Sequence, residues 1–282
     1  MRPVLVAGLQ TAGRPGDVDG NLALLDSAAA QAAAQGAELL ITPEMFLTGY
    51  DLAGGLPELT ALAARDLLGP AGEIARRHGL AIVLGAPDAA PEGLYNAAFF
   101  LDETGRVLTR YRKSHLFGEL DQALFRAGDE LFGCVQFRGL RIAICICYDV
   151  EFPETVRAAA LDGAHLVAVP TAQMTPFSFV AEQLIRTRAW ENQVYVAYCN
   201  HTGAEATLRF VGRSSIVAPS GQVLASAAEG DALLVADVDS DVVTRAHTDN
   251  PYLADRRLDL HPGPDTAGPR TLTGVEVRGG DA

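Results

Sequence analysis

The chain has 282 residues, 35 acidic against 22 basic side chains, a formal net charge of −13, and 49% hydrophobic content. That acidity excludes the basic surface on which non-specific nucleic-acid binding depends, and no run of 18 apolar residues offers a membrane span. The apolar content suffices for a large core, and no linker interrupts it, so a single domain over 1–282 is expected, with 250–282 as a C-terminal tail.

The opening "MRPVLVAGLQTAGRPGD" has too short an apolar run for a signal peptide and reads as a first strand, 3–10. A cytoplasmic protein with four reduced cysteines is the expectation. The Ala- and Gln-rich stretch 20–35 predicts a helix, because both residues are good helix formers. A strand follows at 37–44, then a helical pattern over 57–78. Strands are expected at 80–88, 96–102 and 106–113, the last two joined by the hairpin signal "DETG". Beyond lie a strand at 140–149, a helix at 153–162, a strand at 164–172 and a helix at 178–192. Strands at 194–200, 213–219 and 232–239 complete the pattern, with a second hairpin signal at "PSGQ". Helices alternating with strands, plus hairpins, predict a mixed sheet in an α/β layer architecture. Runs such as "LVAVP" are apolar on both faces, as strands under helices are. No internal repeat is evident.

One stretch, "ICICYDVEFPE" (144–154), puts two cysteines one residue apart at the end of an apolar strand. Side chains alternate in a strand, so Cys145 and Cys147 share a face, roughly 6.6 Å apart. That separation is near the upper limit for a disulfide, and a bridge between them would strain the strand. No CxxC or HxxxH spacing supports a metal site. Cys134, Cys145 and Cys199 sit within apolar runs and read as core thiols. Cys147 differs by position. It closes the strand just before a helix whose first turn Pro153 suits. A residue on such a turn is exposed at the sheet's end, where backbone N–H groups can bind a developing oxyanion. A thiol there needs a base to become a strong nucleophile. Among the histidines only His115, beside Lys113, has a distinctive context.

Two further strand ends carry charge. "LLITPEMFLTGYD" closes on Glu44, whose carboxylate, partly desolvated there, would suit a general base. "LTRYRKSHLFGELD" closes on Lys113, with Glu119 six residues later. Each also reads as an ordinary wet strand end, and physics alone does not join the three places.

The motifs "PEMFLTGY", "YRKSHLFGE" and "ICYDVEFPE", in that order, resemble those of the nitrilase superfamily of carbon–nitrogen hydrolases, and the likeness runs from "GLQ" (8–10) to "SSIVAPSGQVLA" (214–225). The resemblance implies a four-layer α-β-β-α sandwich, dimerised or further assembled, and a Glu–Lys–Cys catalytic set at Glu44, Lys113 and Cys147. It also implies a second glutamate after the lysine, which falls on Glu119, to position substrate or hold Lys113. Beside a base and a cation, Cys147 is expected to favour its thiolate. The N–H of Tyr148 is the expected second oxyanion donor, and Tyr50, Gln173, Met174 and Phe177 are candidate pocket residues. No metal or organic cofactor is implied. "VPTAQMTPFSFVAEQLIRTRAWENQVYVAYCN" and "NPYLADRR" resemble amidases of small, including ω-amino, amides. The alternatives are an N-carbamoyl-amine hydrolase, a non-catalytic relative, and a redox protein using Cys145 with Cys147.

Overall fold

The computed structural model describes residues 2–259. Most of the expected tail therefore lies outside the described residues. In chain order the elements are β1 (Val4–Gln10), α1 (Val18–Ala34), β2 (Leu39–Ile41), α2 (Gly55–Ala63), α3 (Leu68–His78), β3 (Ala81–Ala90), β4 (Gly93–Leu101) and β5 (Val107–Arg112). Then come α4 (Gly118–Leu124), β6 (Gly133–Phe137), β7 (Leu140–Ile144), α5 (Pro153–Leu161), β8 (Leu166–Thr171), α6 (Ile185–Asn192) and β9 (Tyr195–Asn200). The short hairpin β10 (Ala204–Glu205) and β11 (Leu208–Arg209) precedes β12 (Ser215–Val217), β13 (Val223–Ser226), β14 (Ala232–Val238) and α7 (Ser240–Asp249).

Two six-stranded sheets form, in the orders β14-β1-β2-β3-β4-β5 and β13-β12-β9-β8-β7-β6. Alternation along the strands of the first decides which face meets which layer. Val6, Ile41, Val83 and Phe100 join an apolar cluster with Ile142, Ile144 and Val167 of the second sheet. Their neighbours Ala7, Leu40, Ile82 and Phe99 join a separate cluster with Leu25 and Ala29 of α1 and Ala71 and Ile74 of α3. The outer face of the second sheet is covered by α5 and α6, through Val156, Ala160, Ile185 and Ala189. The result is the expected α-β-β-α sandwich. A slip of one residue in any of these strands would exchange the faces.

The departures from expectation have local causes. The pattern over 57–78 is two helices, because Asp66 accepts a hydrogen bond from the Gly69 N–H at 2.9 Å, starting α3 afresh just before Pro70. The strand expected at 140–149 stops at Ile144, and a single 3-10 turn covers Cys147–Glu151. Strands β6, β10, β11 and β13 and helices α4 and α7 went unassigned in the sequence; α4 matters most below.

Candidate active site

Three segments converge where the two sheets meet. The first follows β2. Gly85 of β3 lets it pass close, since a Cβ there would lie 2.1 Å from the Pro43 carbonyl oxygen. The Glu44 N–H donates to the Thr171 carbonyl of the second sheet at 3.3 Å, and His201 Nε2 donates to the Glu44 carbonyl at 2.7 Å. The Glu44 backbone is thus fixed from the opposite sheet. The second segment follows β5 and carries Lys113. The third is the turn after β7, where Cys147 holds φ at 45°. That left-handed conformation costs energy for a residue with a Cβ and marks a sharp elbow. Asp149 secures the elbow: its carboxylate accepts from the Ile146 N–H at 3.0 Å, the His115 N–H at 2.9 Å and the Tyr111 hydroxyl at 2.9 Å. One buried carboxylate therefore ties the cysteine turn to the lysine segment.

The side chains meet in a small cavity lined by Glu44, Tyr50, Lys113, Phe117, Cys147, Tyr148, Glu151, Ala172, Gln173 and Met174. Glu44 and Lys113 are fully buried, with Nζ to Oε1 at 2.8 Å. The same Oε1 accepts from Asn96 Nδ2 at 2.6 Å. Glu44 Oε2 is buried and, among the described residues, has no hydrogen-bond partner. Lys113 Nζ also donates to Asp121 Oδ2 at 2.7 Å, an oxygen that the Phe117 N–H reaches at 2.8 Å. The Tyr50 hydroxyl and the other oxygen of Asp121 share a hydrogen bond. An ammonium has three donors, so one N–H of Lys113 is left for the cavity.

The charges follow from burial and proximity. Burial alone would lower the Lys113 pKa, but Glu44 and the other negative groups more than offset it, and the ammonium is held above its usual range. One cation faces two carboxylates, so one of these does best by keeping its proton. Burial, and then the charge of Glu44, push Asp121 up to about 8. The Cys147 thiol is raised well above its ordinary value by burial and by Glu44, with Lys113 opposing. The expected resting thiolate is therefore corrected to a neutral thiol, because desolvation and the charge of Glu44 outweigh the cation. Such a thiol needs its proton removed during attack.

Of the residues singled out in the sequence, Glu44, Lys113, Cys147, Tyr50, Tyr148, Gln173 and Met174 share this cavity. Gln173 Oε1 lies 3.8 Å from the Cys147 sulfur. Phe177 stands outside the lining but packs its ring against Phe117, with centroids 5.6 Å apart. Glu119 is a correction: it is exposed in the first turn of α4, and Asp121 on the buried face of that helix holds Lys113 instead. His115 serves Asp149, at 2.8 Å, rather than the thiol, and its ring stacks on Phe152. Cys199 packs where a Cβ on Gly8 would meet its sulfur at 2.8 Å, which suits a core role. The sequence reading missed Asn96, Asp121, Asp149 and Glu151. Asn96 alone gave a usable signal, as an amide within an otherwise apolar strand.

The carbon–nitrogen hydrolase family profile matches residues 5–248. "Hydrolase in pqqF 5'region" of Pseudomonas protegens is 44% identical over 267 residues, covering 93% of this chain and 92% of its own. The (R)-stereoselective amidase of a Pseudomonas species is 36% identical, covering 89% and 91%. A solved amidase from Nesterenkonia sp. AN1 superposes with a TM-score of 0.80 at 38% identity, over 92% of this chain and 96% of that one; in that structure the acetamide moiety of fluoroacetamide is added covalently at the active-site cysteine. The chain therefore belongs to the carbon–nitrogen hydrolase family, in the amidase branch of the nitrilase superfamily, and is a hydrolase that acts on amides through an active-site cysteine.

Proposed function

We propose that the chain hydrolyses a small aliphatic carboxamide, with an ω-amino group as the preferred far end, to the acid and ammonia through a thioester on Cys147. The observation that carries this reading is the asymmetry of Glu44: Oε1 is held by Lys113 and Asn96, while Oε2 has no partner among the described residues and Glu44 lines the cavity of the thiol. In the first half-reaction Glu44 takes the thiol proton as sulfur bonds to the amide carbon. The negative charge moves to the carbonyl oxygen, facing the third N–H of Lys113 and the backbone N–H of Tyr148. Collapse restores the carbonyl, breaks the C–N bond, and returns the proton from Glu44 to nitrogen, so ammonia departs and a thioester remains. In the second half, water loses a proton to Glu44 as its oxygen bonds to the same carbon, and the thiolate leaves and is reprotonated from Glu44. Amide and water give acid and ammonia. Acid–base help of this kind contributes about 10²–10⁴-fold. Asp121, protonated near neutral pH, holds Lys113 without cancelling its charge.

The same reading includes a homo-oligomer. Exposed apolar side chains on and beside the α5–α6 layer, Leu161, Trp190 and Tyr252, support an interface there. Light scattering on the purified protein gives the assembly size. The chemistry is tested by intact-mass spectrometry of the enzyme mixed with a panel of amides, 5-aminovaleramide and N-carbamoylputrescine included. An acyl adduct on Cys147 with ammonia release is expected; turnover with no adduct on Cys147 would overturn the reading.

A further inference from the structure

The cavity contains one acidic side chain that this chemistry does not use. Glu151 ends the 3-10 turn that Cys147 begins, and its side chain lines the cavity beside Phe117, Tyr148 and Met174. At the rise of such a turn it stands roughly 8 Å beyond the cysteine along the axis, a span a short methylene chain covers. Its carboxylate has no hydrogen bond or ion pair among the described residues, and the neighbouring cations are engaged elsewhere. Lys113 gives two of its three N–H groups to Glu44 and Asp121, and the third serves the reacting carbonyl. Arg188 gives Nε to the Val150 carbonyl at 2.8 Å, Nη2 to the backbone carbonyl of Glu151 at 2.6 Å and Nη1 to Glu191 at 2.8 Å. Burial raises the Glu151 pKa, and the charges of Lys113 and Arg188 pull the other way.

The surroundings point to what would pair with it. Glu44 and Lys113 neutralise each other, and a protonated Asp121 adds no charge, so an ionised Glu151 leaves the lining net negative. Phe117 and Tyr148 pack edge to face with centroids 5.1 Å apart, and Tyr148 packs likewise on Phe152 at 4.9 Å. A carboxylate that shares its cavity with aromatic rings suits an ammonium, whose charge the carboxylate matches and whose methylene stem the rings cover. An anionic far end would meet repulsion from the same group.

We propose that Glu151 is the specificity-determining residue of this enzyme, receiving a cationic amino group at the end of the substrate remote from the amide, with Phe117 and Tyr148 flanking the chain between. The proposal rests on the reading of Cys147, Glu44 and Lys113 as the reacting set. It adds a residue for the other end of the substrate.

The test compares kcat/KM for 5-aminovaleramide and for hexanamide, its near-isosteric neutral counterpart. The native enzyme is expected to prefer the cation. In Glu151→Gln, which keeps side-chain size and removes the charge, the ratio of the two values should fall about ten- to a hundred-fold, mostly through KM, the range a partly buried charge contact gives at about 1.4 kcal/mol per tenfold. Glu151→Asp should regain part of the preference. A native enzyme that hydrolyses hexanamide but discriminates against the cationic amide would overturn the proposal and leave the cysteine chemistry standing. An unchanged ratio in Glu151→Gln, with both variants folded by circular dichroism, would overturn the assignment of Glu151. A native enzyme that turns over no amide would remove the reading on which the proposal rests, and the proposal with it.

Discussion

Cys147 is a neutral thiol raised by burial and by Glu44, with Lys113 only partly opposing. That ordering of causes separates activity from reactivity. Glu44→Gln removes both the proton acceptor and the charge that raises the thiol, leaving Lys113 to stabilise the thiolate. The variant is therefore expected to lose turnover yet to be alkylated by iodoacetamide faster than the native enzyme at pH 8. Peptide mapping of the label, with the rate followed by mass spectrometry, checks both; slower labelling at Cys147 would mean that Glu44 does not raise the thiol. Cys147→Ala should abolish hydrolysis with the fold retained, while Cys145→Ala, a fully buried core thiol, should keep most of it. Lys113→Met should lower kcat by more than about 100-fold, the scale of a lost oxyanion donor. It should also destabilise the protein, because Glu44 and Asp121 would then be buried without their cation.

At the scale of elements, the difference between Glu119 and Asp121 shows what a sequence motif leaves open. Residues two positions apart on a helix are about 200° apart around its axis, so only one of Glu119 and Asp121 can face Lys113. Asp121 shares the buried face of α4 with Leu124, while Glu119 faces solvent. Without α4 assigned, the spacing after Lys113 could not choose between them; the seven-residue helix is too short for its periodicity to show. Glu119→Gln should accordingly change kcat/KM by less than about threefold, as surface changes do, and Asp121→Ala by more than tenfold, and steady-state kinetics on the pair decides it. The strands around the site were legible because inner and outer faces are both apolar and alternate cleanly. Their ends were less so: the cysteine strand was drawn five residues too long, since the elbow at Cys147 is set by Asp149 bonding to residues more than 30 positions away. The hairpin β10–β11 is a similar case. Its Glu205 accepts the Tyr50 N–H at 2.7 Å and the Asp51 N–H at 2.9 Å, holding the loop whose tyrosine bonds to Asp121. No local pattern announces a contact spanning 155 positions.

Over the whole molecule, the two sheets repeat one pairing scheme that the sequence does not betray. Read from β14 to β5 and from β6 to β13, each runs antiparallel, parallel, parallel, antiparallel, antiparallel. Pairing is a backbone property, and apolar residues of many kinds satisfy it, so a shared topology leaves no shared residues to detect. The site lies on the seam between these halves, with Glu44 and Lys113 on one sheet's connections and Cys147 on the other's, so its charges exist in their raised state only when the sheets are packed. That ties stability to pH in a definite direction. Asp121 keeps its proton to about 8 in the folded protein, while an unfolded chain releases it near 3.9. The folded state thus binds the extra proton between these values. The contribution is fully present below the unfolded value and is lost as pH rises through the folded one. The surface carboxylates are already ionised above pH 6, so the net charge changes little over the upper part of that window. The urea midpoint is therefore expected to fall between pH 6 and pH 9, and to fall less in Asp121→Asn, which has no proton to lose. Parallel slopes for the two proteins would place the proton elsewhere in the site and leave Asp121 ionised beside Lys113 throughout.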